Sequence, residues 1–242
     1  MTTVILLRHG LTAMTGPMLA GRTPAVHLDE RGRAQAVAAA RRLSVLPLAA
    51  VVTSPLTRCV ETARVITRDQ RSGGHDPVTR TDRRLVECDY GDWTGREIKS
   101  LVKDALWPVV QAHPSAATFP GGESMAAMAA RAVTAVRTLD TEFGAAFGPD
   151  AIWLACSHGD VIKSVLADAF GMHLDLFQRI VVDPCSVSAI RYTASRPFVL
   201  VTNDMTGDLA RFVPPPSKPS RARRAARSSE ATVGGGAGAG SV

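Results

Sequence analysis

No run of apolar residues in the 242-residue chain approaches the ~18 needed to cross a membrane as a helix, so no membrane span is expected. The longest early run, Val4 to Leu7, precedes its basic residue, the reverse of a signal peptide. Cysteines are few: Cys59, Cys88, Cys156 and Cys185, with no CxxC spacing. This argues against a disulfide framework or a zinc site, and for a cytoplasmic protein with free thiols. No internal repeat occurs. No carboxylate–histidine cluster has the spacing of metal ligands, so no metal and no cofactor are expected.

Positive charge is present but unevenly placed. The formal net charge is +6, and the segment from Pro214 onward holds Lys218, Arg221, Arg223, Arg224 and Arg227 against Glu230, which is +4 of it. That segment is rich in Pro, Ser, Arg and Gly without apolar spacing, and a disordered basic tail over 214–242 is expected. It contains no aromatic residue to stack on bases, so no dedicated nucleic-acid site is expected.

The body, 1–213, reads as one domain. Hydrophobic residues make up 45% of the chain, enough for a sizeable core. Strand-like stretches are Thr3–Leu7, Ala50–Thr53, Ala151–Cys156, Val187–Tyr192 and Phe198–Thr202. Helical patterns lie between them. Asp29 is placed to cap a helix in which Ala36, Val37, Ala40 and Leu43 share a face. Met125, Met128, Ala132, Val136 and Leu139 form a longer stripe. Spaced like core residues, the two methionines read as packing. Alternating strands and helices predict an α/β fold, with a mostly parallel central sheet and helices on both faces.

In such sheets ligands sit beyond the carboxyl ends of strands. Three strand ends carry related chemistry: Arg8-His9-Gly10, then Ser54-Pro55-Leu56-Thr57-Arg58, then Ser157-His158-Gly159-Asp160. If these converge, two arginine forks suit a phosphate dianion. A histidine beside them is placed to attack phosphorus. The helix expected after His158 aims its first N–H groups at the same point. His27, His75, His113 and His173 lie in turns or flanks without matching partners.

RHG, SPLTRCVETA, ECDYGDWTG, FPGGES and CSHGD occur in this order. From about Thr3 to Asn203 the chain resembles the histidine phosphatase superfamily, in the branch of the cofactor-dependent phosphoglycerate mutases and related small phosphatases. The resemblance implies that His9 is the nucleophile, that Arg8 and Arg58 bind phosphate, and that His158 donates to the transferring phosphoryl group. It implies that Gly10 and Gly159 leave room for the phosphate. Glu87 matches the proton donor; Asp89, two residues on, is its local competitor. Thr12 and the loop through Ala20 and Gly21 match substrate-phosphate contacts. Thr15 stands where many members carry Asn, so a contact there is lost or passes to the hydroxyl.

Mutases of the family carry a longer insert with adjacent arginines before GES. Here the stretch from Tyr90 to Gly122 is short and has no Arg-Arg pair. It offers Leu101, Trp107, Val109, Val110 and Phe119 as a lid tolerant of apolar alcohols, while Trp93 and Trp107 also read as packing residues. The expectation is a metal-independent phosphomonoester hydrolase acting through a phosphohistidine on a small phosphorylated metabolite. A phosphomutase is the alternative, and a non-catalytic phosphate-binding relative is a third. A homodimer is expected from the habits of relatives.

Overall fold

The computed structural model describes residues 2–205 and Val213. The expected basic tail, 214–242, lies outside the described residues. Among the described residues, one six-stranded sheet runs in the order β3-β2-β4-β1-β5-β6. The strands are β1 (Thr2–Arg8), β2 (Leu48–Thr53), β3 (Val78–Thr81), β4 (Ile152–Ser157), β5 (Val187–Tyr192) and β6 (Pro197–Asp204). β1–β4, β2–β4 and β2–β3 are parallel; β1–β5 and β5–β6 are antiparallel. The three motif-bearing strands β2, β4 and β1 are therefore neighbours pointing the same way, which brings their carboxyl ends together.

Side chains on a strand alternate between faces. In β1, Val4 and Leu6 pack into one core and Ile5 and Leu7 into the other. The first core is closed by α5 (Met125–Phe147) and α6 (Gly159–Ala169), the second by α1 (Glu30–Leu43) and α2 (Thr57–Ser72). β4 divides likewise: Trp153 and Ala155 on the α5/α6 side, Leu154 and Cys156 on the other. A strand buried on both faces explains why β1 and β4 read as continuous apolar runs. Two short helices, α3 (Ile98–Leu101) and α4 (Trp107–Ala112), cross the α5/α6 side.

Local chemistry sets the helix boundaries. Asp29 caps α1, its carboxylate accepting from the Gly32 amide at 2.7 Å. Ser124 caps α5 by accepting from the Ala127 amide at 3.1 Å. Met125 and Met128 are fully buried core residues, as their spacing predicts. Val37 departs from expectation: it is 40% exposed, and Ala39 takes the buried position beside Ala36 and Ala40. β3 is also absent from the sequence reading. Its four residues, Val-Thr-Arg-Thr, are too few and too polar to announce a strand, and they form an edge whose side chains are mostly exposed.

Candidate active site

Strand parity places the first two catalytic-type side chains. Arg8 ends β1 on the α6 side, where its guanidinium carbon lies 3.7 Å from the position a Cβ on Gly159 would take. His9 turns toward α2, whose Arg58 reaches it. These groups, with Thr12, Thr15, Ala20, Gly21, Glu87 and Gly159, line one cavity of about 410 Å³. A larger groove of about 980 Å³ runs along α2 and β3, but it is lined by no histidine or cysteine.

His9 is buried, and its two ring nitrogens are distinct. Nδ1 lies 2.8 Å from the Gly10 carbonyl, which only accepts, so Nδ1 carries the proton. Nε2 receives the Nε–H of Arg58 at 3.2 Å and therefore holds the lone pair. Burial, then Arg58 and Arg8, hold the imidazole well below its usual pKa. His9 is thus a neutral ring with one lone pair aimed at the Arg58 guanidinium.

Arg58 is 2% exposed. Its Nη2 donates to the Gly21 carbonyl at 2.7 Å and lies 3.3 Å from Nδ1 of His158. Gly21 holds φ at +48°, a left-handed conformation that turns this carbonyl inward. Arg58 Nη1 and Arg8 Nε are buried and have no partner among the described residues. Unpaired buried donors are costly, and two in one cavity are a preformed demand for an acceptor-rich anion. The other end of Arg8 is anchored, Nη1 donating to the Val182 carbonyl at 2.7 Å.

His158 is fully buried behind the cavity wall rather than in its lining. Its ring centroid is 5.2 Å from that of His9. Nδ1 accepts from Arg58, so Nε2–H donates to Ser54 Oγ at 2.7 Å. Burial, then Arg58, His9, Arg8 and Arg131, hold its pKa well below the usual value and keep it neutral. Gly10 also lies outside the lining. A Cβ there would come within 2.5 Å of the Gly32 carbonyl, so its small size serves the approach of α1.

Glu87 is 9% exposed. Burial, and next the charge of Asp160, push its pKa up to about 7. One oxygen accepts from the Cys88 amide at 2.9 Å. Asp89 does not line the cavity; it accepts from Arg22 Nη1 at 3.0 Å. The loop bearing Glu87 is clamped from two sides: Arg22 Nε and Arg131 Nη2 both donate to the Glu87 carbonyl, at 2.9 and 3.0 Å. Glu123 joins the two arginines, at 2.9 and 2.6 Å. Sequence reasoning missed Arg22 and Arg131, which stand in no motif, while Glu123 was visible only as the E of FPGGES.

The expected apolar lid is not there. Leu101 and Phe119 are core residues, Trp107 stacks on the buried Trp93 at 6.1 Å, and none of the five lines the cavity. Met18, Leu19 and Ile180 supply its apolar wall instead, with Asp160, Lys163 and Gln178 at the polar side. Among the described residues, no group of three or more His, Cys, Asp or Glu is arranged to hold a metal ion.

The family model of the histidine phosphatase superfamily (branch 1) matches residues 4–205. The chain is 34% identical over 169 residues to glucosyl-3-phosphoglycerate phosphatase of Mycobacterium tuberculosis, covering 68% of this chain and 73% of that one. It is 26% identical over 223 residues to a 2,3-bisphosphoglycerate-dependent phosphoglycerate mutase of Gloeobacter violaceus, covering 91% and 98%. The solved mycobacterial glucosyl-3-phosphoglycerate phosphatase superposes with a TM-score of 0.72 at 27% identity, covering 83% of this chain and 98% of that one.

Proposed function

The chain belongs to the histidine phosphatase superfamily, branch 1, and we propose that it hydrolyses a small phosphomonoester in two steps through a phosphohistidine on His9. The observation that carries this reading is the lone pair of His9 Nε2, held at the meeting point of two arginines with free donors. In the first step the substrate phosphate accepts from Arg8 and Arg58, drawing Arg58 off His9. Nε2 then attacks phosphorus in line as the phosphorus–alkoxide bond breaks. Glu87, protonated below about pH 7, gives its proton to the leaving oxygen. In the second step the Glu87 carboxylate takes a proton from water as that water attacks phosphorus. The phosphorus–nitrogen bond breaks and inorganic phosphate leaves.

His158 acts on the phosphoryl oxygens. When the phosphate draws Arg58 away and offsets the arginine charge, His158 Nδ1 takes up a proton, from solvent or from the monoanionic form of the entering phosphate, and donates it as a hydrogen bond to a phosphoryl oxygen. Thr12 and Thr15 hydroxyls are bonded to each other at 3.0 Å, so Thr15 holds Thr12 toward the cavity in place of an amide contact.

Hydrolysis is favoured over phosphomutase chemistry by the short Tyr90–Gly122 connection without paired arginines, and by the phosphatase name of the 34%-identical relative. That relative's named substrate, glucosyl-3-phosphoglycerate, carries a carboxylate and is assayed beside uncharged sugar phosphates. A phosphate-release screen over metabolite monoesters, with 2- and 3-phosphoglycerate interconversion measured alongside, tests the choice. Phosphate release without interconversion supports hydrolysis, and interconversion at a comparable rate overturns it.

The catalytic unit in this proposal is 1–213, and ending the chain after Val213 leaves kcat/KM within about twofold. Four buried free thiols support a cytoplasmic location. A homodimer is proposed on the open edge of β3, where Val78 is 49% exposed. Light scattering at micromolar concentration tests it: twice the chain mass supports the dimer, and the chain mass alone overturns it.

A further inference from the structure

The cavity holds two kinds of positive charge. Among the described residues, neither Arg8 nor Arg58 has a carboxylate within ion-pair distance. These two uncompensated guanidiniums match the charge of one phosphate dianion. Lys163 is different. Its Nζ donates to Gln178 Oε1 at 3.1 Å and lies 3.7 Å from Asp160 Oδ1. The other Asp160 oxygen accepts from the Tyr90 hydroxyl at 2.7 Å. The charge of Lys163 is thus already offset inside the cavity, with the Lys163 and Asp160 side chains about one-fifth exposed.

Position ties this polar group to the phosphate end. Gly159 packs on the Arg8 guanidinium, and Lys163 follows four residues later on α6, ~6 Å along the helix axis. A substrate with phosphate on the arginines therefore lays the next atoms of its alcohol along Asp160, Lys163 and Gln178. A second anion there would meet the Asp160 carboxylate as well as the Lys163 ammonium, and Asp183, also in the lining, adds a further negative charge. Displacing Asp160 from Lys163 would leave that carboxylate without its cation. A hydroxyl needs no such rearrangement. Lys163 has three N–H donors and Gln178 takes one; Asp160 and Gln178 offer acceptors. Alternating donors and acceptors suit neighbouring hydroxyls, each of which both gives and takes a hydrogen bond. The volume of about 410 Å³ is within the range of small-molecule sites.

We propose that the alcohol part of the substrate is an uncharged sugar-like polyol, whose hydroxyls bind Lys163, Asp160 and Gln178. The inference rests on the phosphatase reading above. It excludes simple phosphoglycerates as good substrates, because their carboxylate has no unoffset cation to meet.

Two matched pairs test it on the full chain. Glucose 6-phosphate is compared with 6-phosphogluconate, and glycerol 3-phosphate with 3-phosphoglycerate; p-nitrophenyl phosphate reports the chemistry without a polyol. The expected result is a kcat/KM at least tenfold higher for the uncharged member of each pair. In Lys163→Met and Gln178→Ala, the ratio of kcat/KM for glucose 6-phosphate to that for p-nitrophenyl phosphate falls at least fivefold, through KM. Equal or better turnover of the carboxylate members, or variants that leave the ratio unchanged, overturns the polyol site. Turnover of p-nitrophenyl phosphate with none of the uncharged esters overturns it also. No turnover of any ester, p-nitrophenyl phosphate included, removes the phosphatase reading itself.

Discussion

Replacing Glu87 with glutamine separates its chemistry from its cost. An unfolded glutamate ionises near pH 4.5, while in the folded chain burial and Asp160 hold the proton to about pH 7. Between those values the folded chain binds more protons than the unfolded one, so stability falls as pH rises and the loss is complete above about pH 7. The difference corresponds to about 3 kcal/mol at ~1.4 kcal/mol per pH unit. Glutamine keeps the shape and the acceptor for the Cys88 amide but never ionises. Glu87→Gln should therefore stabilise the protein by up to about 3 kcal/mol at pH 8 and by little at pH 4. For a domain of this size that is roughly 6–12 °C in Tm at pH 8, read by thermal melts of both proteins at both values. Activity should move the other way. An alkyl alkoxide needs a proton to leave, so turnover of an alkyl phosphate should fall by roughly 10²–10⁴. p-Nitrophenolate leaves nearly as well unprotonated, so the burst of p-nitrophenol should slow far less. Steady-state rates are a poorer guide, because the second step uses Glu87 as a base for both substrates. Equal burst losses for the two esters, or a Tm gain at pH 8 no larger than at pH 4, would refute the reasoning; Asp89 would not inherit the role, since it lies outside the cavity.

The remaining expectations follow from the same geometry. With an alkyl phosphate, kcat/KM should decline above about pH 7 as Glu87 loses its proton; a flat profile to pH 9 contradicts this. Asp160→Asn removes a charge that raises the Glu87 pKa, so that decline should move to lower pH, measured as the midpoint of the alkaline limb. Arg58→Met should slow the burst for alkyl and p-nitrophenyl esters alike, by roughly 10²–10³, because the phosphoryl charge is common to both. A loss confined to one ester would place Arg58 on the leaving group.

The parts of the site that follow a strand were legible in the sequence because a strand end fixes where the next residue goes. Arg8, His9, Arg58 and His158 each follow or nearly follow a run apolar enough to be recognised, and neighbouring parallel strands must bring those ends together. Elements held by tertiary contact alone were not legible. β3 exists because β2 offers it an edge, not because Val-Thr-Arg-Thr demands it. Arg22 and Arg131 reach the Glu87 carbonyl from 65 and 44 residues away, and no spacing announces that. Leu101 and Phe119 were apolar enough for either a lid or a core, and only the position of α3 and of the loop before α5 decided for the core. The neutral states of His9 and His158 depend on burial and on facing cations, which a sequence does not display.

The central claim is a covalent bond between phosphorus and His9 Nε2. Mixing the protein with a ³²P-labelled monoester and quenching within one turnover should trap label on the chain, labile in acid and stable in base, and mapping to the peptide that contains His9. His9→Ala should carry none. Label that survives this substitution, or that is stable to acid and sits on a hydroxyl, would contradict the account.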